Sequence, residues 1–256
     1  MYDLIDNWYE PADELRIQPV FVSEMSRDDH GFLCGIIRKI KPEKVLEIGV
    51  AEGGTTSVIE NALVKLGNSC EMYSVDLNER LFCNTNYKTG YIKESMEQCM
   101  QGDRACVSHK FLLGGSIAKY IEQIGTGIDL AVIDTTHRLP GELLDVLCVL
   151  PYMNKNGVII LHDVNLNYYK TFSSDSYEVM IADVRMATKI LLATITGKKY
   201  LNDNGSMLGN IGAIELTEDT IRNALDIFWM LTGTWDYHVS NEMLEQYKNI
   251  FQKFYD

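Results

Sequence analysis

The sequence predicts a doubly wound α/β fold, with a mostly parallel β-sheet covered by helices on both faces. Short apolar segments alternate with helical patterns along the middle of the chain, which is typical of consecutive β-α-β units. Two of these segments, Ala131–Ile133 and Val158–Leu161, contain no polar alternation. Strands that are buried on both faces have this composition, so the sheet is expected to lie between two layers of helices.

Each strand is identified as a short apolar run bounded by turn residues, glycine or an acidic residue. The predicted strands, in chain order, are Val45–Val50, Met72–Asp76, Lys110–Leu113, Ile128–Asp134, Gly157–Asp163 and Ile211–Leu216. The last strand comes after a long interval and a region rich in glycine and asparagine. It is therefore expected to join the sheet differently from the others.

Helices are predicted where apolar residues recur with the period of an α-helix. Asp28 can cap the first helix, which carries Phe32, Ile36 and Ile40 on one side. The later helices are Thr55–Leu66, Tyr91–Gln101, Ile117–Ile124, Gly141–Met153, Tyr177–Thr196, Thr217–Leu231 and Asn241–Phe254. The polar and aromatic segment Asn167–Tyr177 has neither a helical nor a strand period and is predicted to be a loop.

The chain is expected to form a single domain over residues 1–256, because no repeat or low-complexity linker interrupts it. Residues 1–43 would form a helical N-terminal cap, residues 44–216 the α/β core and residues 217–256 the C-terminal helices. Residues 1–10 lack the apolar stretch of a secretion signal. No apolar run approaches the ~20 residues that span a bilayer, so no membrane segment is expected.

The composition argues against several classes of partner. The formal net charge is −13, whereas binding to nucleic acids or anionic membranes needs clustered lysine and arginine. A small neutral or cationic ligand fits this charge better. The six cysteines form no C-x-x-C pair and no zinc-ligand spacing, which is typical of reduced thiols in a cytoplasmic protein.

A glycine-containing turn follows the first strand, with Gly49 and Gly53 ahead of the next helix. Glycine lets the backbone approach a ligand closely, and the first such turn of a doubly wound sheet is a ligand-binding position. Asp76 ends the second strand, where a carboxylate can accept hydrogen bonds from a ribose diol. The spacing is not G-x-G-x-x-G, so a dinucleotide fingerprint is absent. A tight turn without a ligand and a solvated loop aspartate remain the alternatives.

Asp134 and the pair His162-Asp163 end two further apolar strands. If these strands are neighbours, their ends lie about 4.8 Å apart, and the two carboxylates repel unless a proton or cation lies between them. A hard cation such as Mg²⁺ suits oxygen ligands. His137 follows closely and could take up a proton near neutral pH. Independent strand-ending aspartates and an ordinary surface histidine are the alternatives.

These motifs resemble the S-adenosylmethionine (SAM)-binding motifs of class I methyltransferases, whose fold is Rossmann-like. The resemblance rests on Glu47-x-Gly49 with Gly53, then on Asp76, then on Gly115-Ser116. The segments Asp134–His137 and Gly157–Asp163 resemble the branch that contains macrolide-sugar O-methyltransferases and cephalosporin-hydroxylase-like proteins. The resemblance covers roughly residues 44–216. It implies about seven strands, with the first five in the order 3-2-1-4-5 and the late strand antiparallel.

The resemblance also implies the roles of individual residues and makes SAM, with a divalent metal such as Mg²⁺, the expected cofactor. The residues that it assigns to SAM are Glu47, Gly49, Val50, Gly53, Asp76, Gly115, Ser116 and Asp134. The metal would be held by Asp134, Asp163 and His162, and His137 would act as the general base. Two departures stand out, since Ala51 replaces a common glycine and His162 replaces an acidic ligand of the sugar-modifying members.

The function expected from this resemblance is methylation of a hydroxyl group on a small molecule. Two other functions fit the same sheet: a nicotinamide-dependent oxidoreductase, and a non-catalytic SAM-binding or oligomerisation module. The absent dinucleotide fingerprint argues against the first. For the second, the aromatic residues of the C-terminal region could form a homo-oligomer surface or pack within the chain; they are Phe228, Trp229, Trp235 and Tyr247. The loop that begins at Asn167 could cover the acceptor.

Overall fold

The computed structural model describes residues 11–17, 23, 25–100, 102–166, 187–203, 208–224, 227 and 237–255. The strands are β1 (Lys44–Ile48), β2 (Cys70–Asp76), β3 (Val107–Leu113), β4 (Ile128–Ile133), β5 (Met153–His162), β6 (Lys198–Asp203) and β7 (Leu208–Glu215). They form one sheet in the order β3-β2-β1-β4-β5-β7-β6. Strand β7 runs antiparallel to both of its neighbours, and the pairs among β1 to β5 are parallel.

This topology confirms the predicted order of the first five strands and the antiparallel late strand. The strand that the sequence analysis missed is β6, which lies at the edge of the sheet. Edge strands pair on one side only and tolerate charged residues. The run Lys198–Asp203 begins with two lysines, so its composition did not distinguish it from a turn region.

The helices are α1 (Arg27–Ile40), α2 (Gly54–Leu66), α3 (Lys93–Glu97), α4 (Ile117–Ile124), α5 (Gly141–Val149), α6 (Ala187–Thr194), α7 (Glu218–Arg222) and α8 (Asn241–Phe254). The predicted cap of α1 was wrong. Ser26, not Asp28, caps the helix, since its hydroxyl accepts from the Asp29 N–H while the Asp29 carboxylate accepts from the Ser26 N–H. Asp28 is the second residue of the helix.

Helix α5 is shorter than predicted, because a 3-10 turn over Leu150–Tyr152 ends it and β5 begins at Met153. Proline at the second position of that turn cannot supply the N–H that would continue the helix. The predicted loop Asn167–Tyr177 and the first part of the predicted helix Tyr177–Thr196 lie outside the described residues. So do Phe228, Trp229 and Trp235.

Two apolar layers enclose the sheet, as a doubly wound fold requires. One layer packs α4, α5, α6 and α8 on one face, and the other packs α1, α2 and α3 on the opposite face. Successive strand residues alternate between them, so that Leu46 faces the first layer and Val45 the second. Among the described residues, no helix is long and apolar enough to span a membrane.

The turn after β1 meets the end of β4 at Gly49. This residue has φ +92°, and its N–H donates to the Val75 carbonyl oxygen over 2.9 Å. A Cβ atom at this position would lie 1.8 Å from the carbonyl oxygen of Asp134. Both the positive φ and the close approach therefore require glycine at this position. Because Gly49 has no side chain, the turn after β1 contacts the end of β4 at Asp134.

We expect Gly49→Ala to lower the free energy of unfolding by more than about 3 kcal/mol, because backbone strain and a main-chain clash act together. Gly67→Ala is the matched control. Gly67 also has a positive φ, +68°, but a Cβ atom there would meet nothing within 4 Å. Gly67→Ala should lower the free energy of unfolding by only about 1 kcal/mol. Equal losses in urea unfolding of the two variants would contradict the close approach at Gly49.

Candidate active site

The carboxylate of Asp76 joins the end of β2 to the glycine-containing turn. Its Oδ2 accepts hydrogen bonds from the N–H groups of Val50, at 2.9 Å, and Ala51, at 3.3 Å. Its Oδ1 accepts from the N–H of Asn78 at 2.8 Å. A carboxylate has about four acceptor positions, so one remains available to a ligand. No local sequence pattern indicated that Asp76 braces this turn.

Ala51 has a left-handed backbone, with φ +46°, which explains why glycine is common at this position in related motifs. Its carbonyl oxygen accepts from the N–H of Gly90 at 2.8 Å. A Cβ atom on Gly53 would lie 3.0 Å from the Cα of Gly90, so the two glycines let two chain segments touch. Gly90 was not recognised from the sequence, because it belongs to a distant loop.

Glu47 lies in β1 and is completely buried. The Thr56 hydroxyl donates to its Oε2 over 2.8 Å, while its Oε1 makes no hydrogen bond to any described residue. Burial raises the pKa of Glu47 to about 8, and the hydroxyl groups of Ser74 and Thr56 oppose that rise. A buried oxygen without a partner is an open position for a hydrogen-bond donor.

Gly115 and Ser116 follow β3, and Gly115 lies beside the end of β2. The N–H groups of Gly114 and Gly115 donate to the Asp76 carbonyl oxygen over 3.0 and 3.4 Å. Ser116 precedes α4 and donates its hydroxyl to Oε1 of Gln246 at 3.0 Å. Gln246 belongs to α8 and lies 130 positions along the chain, so the sequence carried no signal for this contact.

Asp134, His162 and Asp163 come together at the ends of β4 and β5. Each offers one ligand atom, and these atoms all lie within 4.8 Å of one another. Neighbouring residues of a strand point to opposite faces, but β5 ends at His162 and Asp163 adopts a left-handed φ of +59°. This turn of the backbone directs both side chains into the same space.

The group contains a buried ion pair. Burial lowers the pKa of His162, but Asp134, whose Oδ2 lies 3.3 Å from the imidazole Nδ1, and Asp29 raise it well above its usual range overall. Burial likewise raises the pKa of Asp134, yet His162 and His137 lower it overall. Asp29 of α1 lies 3.8 Å from the other ring nitrogen of His162, a contact that the sequence analysis missed.

His137 lies next to Asp134, His162 and Asp163, and we call these four residues the acid–histidine group. Its Nε2 lies 3.0 Å from Oδ2 of Asp163 and 3.6 Å from Oδ1 of Asp134. It is only 8% exposed, which rules out the ordinary surface histidine that was the alternative. Its Nδ1 lies 3.8 Å from Oε2 of Glu142, a buried carboxyl group whose pKa is raised well above its usual range by burial and by the neighbouring Asp145.

The raised pKa of Glu47 makes stability depend on pH. The unfolded chain loses this proton near pH 4.5 and the folded chain near pH 8. The free energy of unfolding should therefore fall as the pH rises through this interval, by at most about 1.4 kcal/mol per pH unit.

Glu47→Gln removes this titration, so the variant should gain stability relative to the parent protein between pH 5 and pH 8. Urea unfolding at several pH values measures the difference. Glu71→Gln, which changes an exposed carboxylate on β2, is the control and should follow the parent protein. Parallel curves for Glu47→Gln and the parent protein would show that Glu47 titrates alike in both states.

Comparison with known proteins agrees with this architecture. Residues 46–164 match a family model described as a methyltransferase domain. No curated protein sequence matches the chain. Among solved structures, the S-adenosylhomocysteine-bound methyltransferase PaMTH1 of Podospora anserina aligns with a TM-score of 0.54 at 16% identity, covering 75% of this chain and 80% of that chain.

A Staphylococcus aureus protein assigned as a caffeoyl-CoA O-methyltransferase aligns with a TM-score of 0.51 at 13% identity, covering 77% of this chain and 86% of that chain. At these identities the structural likeness establishes the fold. The family model adds the kind of domain, and its span contains the glycine-containing turn, Asp76 and the acid–histidine group. Residues 46–164 are therefore similar to a methyltransferase domain, and the fold of the chain is shared with both of these solved structures.

Proposed function

We propose that this enzyme transfers the methyl group of SAM to a hydroxyl group of a small molecule, with a divalent cation held beside the acceptor. The observation that carries the proposal is the position of the acid–histidine group. The carbonyl oxygen of Asp134 abuts Gly49 in the turn assigned to SAM, while its carboxylate faces His162. The methyl donor and the groups that could activate an acceptor would therefore lie side by side.

The residues of the turn fit SAM. The unpartnered Oε1 of Glu47 can accept from an ammonium group, and the turn leads into the N-terminus of α2, which favours a carboxylate. Asp76 has one acceptor position left for a ribose hydroxyl. SAM, when bound, supplies a methyl group on a sulfonium that is open to in-line displacement. The chain's part is to hold the acceptor oxygen in line with that methyl group.

The residues at the strand ends fit a divalent cation. Asp134 and Asp163 provide carboxylate oxygens and His162 a ring nitrogen, and these three atoms lie within 4.8 Å of one another. A bound cation would fix the acceptor hydroxyl and lower its pKa. Because imidazole is a poorer ligand for Mg²⁺ than carboxylate, the His162 position also suits Mn²⁺ or Fe²⁺. The proposed cation site therefore depends on the two aspartates. His162 can either bind the cation or remain paired with Asp134.

His137 is the group that would take the proton of the acceptor. Its Nε2 faces the space between Asp134 and Asp163, where the acceptor would lie. Nε2 can take up that proton only when it carries none itself, that is, when the Asp163 carboxylate binds the cation instead of accepting from Nε2–H. The imidazolium formed would then lie beside carboxylates that stabilise its charge. The surrounding carboxylates and the formal net charge of −13 favour a neutral or cationic acceptor over an anionic one.

Asp76→Ala should weaken SAM binding by about 1–3 kcal/mol, since hydrogen bonds to a charged acceptor are lost and the turn loses its brace. Isothermal calorimetry with SAM measures this change. Asp103→Ala is the control, because Asp103 also accepts from a main-chain N–H but belongs to an exposed turn before β3. Unchanged SAM affinity in a folded Asp76→Ala variant would remove Asp76 from the SAM site.

Removal of divalent metal should abolish most turnover, and Mn²⁺ or Mg²⁺ should restore it. The assay is formation of S-adenosylhomocysteine with a panel of small phenols and sugars. Asp134→Asn and Asp163→Asn should each lower turnover about as much as removal of the metal does. The double variant should lose little more turnover, because the two residues hold one cation. Full activity in excess chelator would reject the metal.

His137 would then be the remaining group that can deprotonate the acceptor, and His137→Ala should lower turnover by about 10²-fold.

A further inference from the structure

Two adjacent residues of α8 reach opposite sides of the site. Gln246 accepts the hydroxyl of Ser116, on the side assigned to SAM. Tyr247 donates its hydroxyl to Oδ1 of Asp145 in α5, and the Thr135 hydroxyl donates to the other oxygen, Oδ2, at 3.1 Å. Thr135 directly follows Asp134. The C-terminal helix is therefore connected, through one carboxylate, to the segment 134–137.

This segment needs support from outside itself. His137 has a left-handed φ of +55°, a conformation that costs a non-glycine residue about 1–3 kcal/mol and persists only where neighbouring contacts enforce it. A second contact comes from the region before α8. A Cβ atom on Gly141 would lie 2.9 Å from both the Tyr237 ring and the Thr136 hydroxyl oxygen, so Tyr237 packs closely against the start of α5 and near Thr136.

The hydrogen bond between Tyr247 and Asp145 is buried. Tyr247 is 2% exposed and Asp145 is 7% exposed, so water cannot easily replace the Tyr247 hydroxyl as a donor. Burial raises the pKa of Asp145 to about 6, while the hydrogen bonds from Tyr247 and Thr135 lower it. A buried carboxylate that loses one of two donors must move or recruit another donor, and a movement of Asp145 would be transmitted to Thr135, its other donor.

We propose that Tyr247 and Asp145 are positioning residues, which fix the segment 134–137 through Thr135 and thereby set the orientation of His137 toward Asp163. The inference rests on the proposed function in one respect, namely that His137 and Asp134 act on the acceptor. The described part of the C-terminal helix would then serve as a component of the site in addition to covering the apolar layer.

The test compares two tyrosines that join the same two helices. Tyr247→Phe removes the hydroxyl that Asp145 accepts. Tyr255→Phe removes a hydroxyl that donates to the Leu147 carbonyl oxygen of α5 at 2.8 Å, away from the segment 134–137. The first readout is the imidazole NMR signal of His137 in the protein without SAM, metal or acceptor, assigned by its loss in His137→Gln.

We expect the His137 signal to shift in Tyr247→Phe and to stay in place in Tyr255→Phe at the same pH. Thr135→Val should reproduce the shift from the other end of the link, whereas Thr135→Ser, which keeps the hydroxyl, should restore the parent spectrum. These variants also cover the case in which Tyr247→Phe does not fold. A His137 signal that is unmoved in Thr135→Val, or moved equally in both tyrosine variants, would overturn the proposal.

The second readout is turnover. Tyr247→Phe should lower kcat about tenfold, the loss expected for one hydrogen bond, with SAM affinity unchanged. Equal effects of Tyr247→Phe and Tyr255→Phe on kcat would indicate a structural role only and would overturn the proposal. Because the NMR experiment involves no turnover, a shifted His137 signal in a protein without methyltransferase activity would refute the proposed function and leave the positioning of His137 intact.

Discussion

The contact between Gly49 and the main chain of Asp134 is the constraint on which the site depends. With no side chain at Gly49, the turn after β1 can lie against the end of β4, and the N–H of Asp134 donates to the Ile48 carbonyl oxygen over 2.9 Å. Asp134 is thereby held beside the turn that carries Val50 and Ala51. A larger residue at this position would separate the turn from the acid–histidine group.

Burial of charge is the second organising feature. Carboxylates that leave water are costly unless a cation, a proton or hydrogen bonds compensate them. The structure uses all three ways within one region. His162 compensates Asp134 by charge, the raised pKa of Glu47 keeps a proton on a buried carboxyl, and hydroxyl donors from α8 and the segment 134–137 satisfy Asp145. Glu142 accepts no hydrogen bond from a described side chain, and burial raises its pKa well above the usual range, so a retained proton compensates it as well.

Much of this could be predicted from the order of residues along the chain. Apolar runs without alternation predicted β4 and β5, and the glycines predicted the first turn, because these signals are local. Neighbouring residues of a strand face apart, so His162 and Asp163 can share a site only if the strand ends or bends there. The left-handed backbone of Asp163 supplies that bend, and such a conformation is stabilised by contacts that no local pattern reports. The hydrogen bond from Asn210 to the Asp163 carboxylate is one of them.

By itself, the sequence determined the alternation of strands and helices, the place of the turns and the residues that end each strand. These properties follow from hydrophobic period and from the backbone freedom of glycine, which act over a few residues. Tertiary structure alone decided that Asp29, Glu142, Asp145 and Gln246 join the same region, and that β6 forms the edge of the sheet. These residues come from helices far apart in the chain, and only the packing of the helices against the two faces of the sheet brings their side chains within a few ångströms of the site.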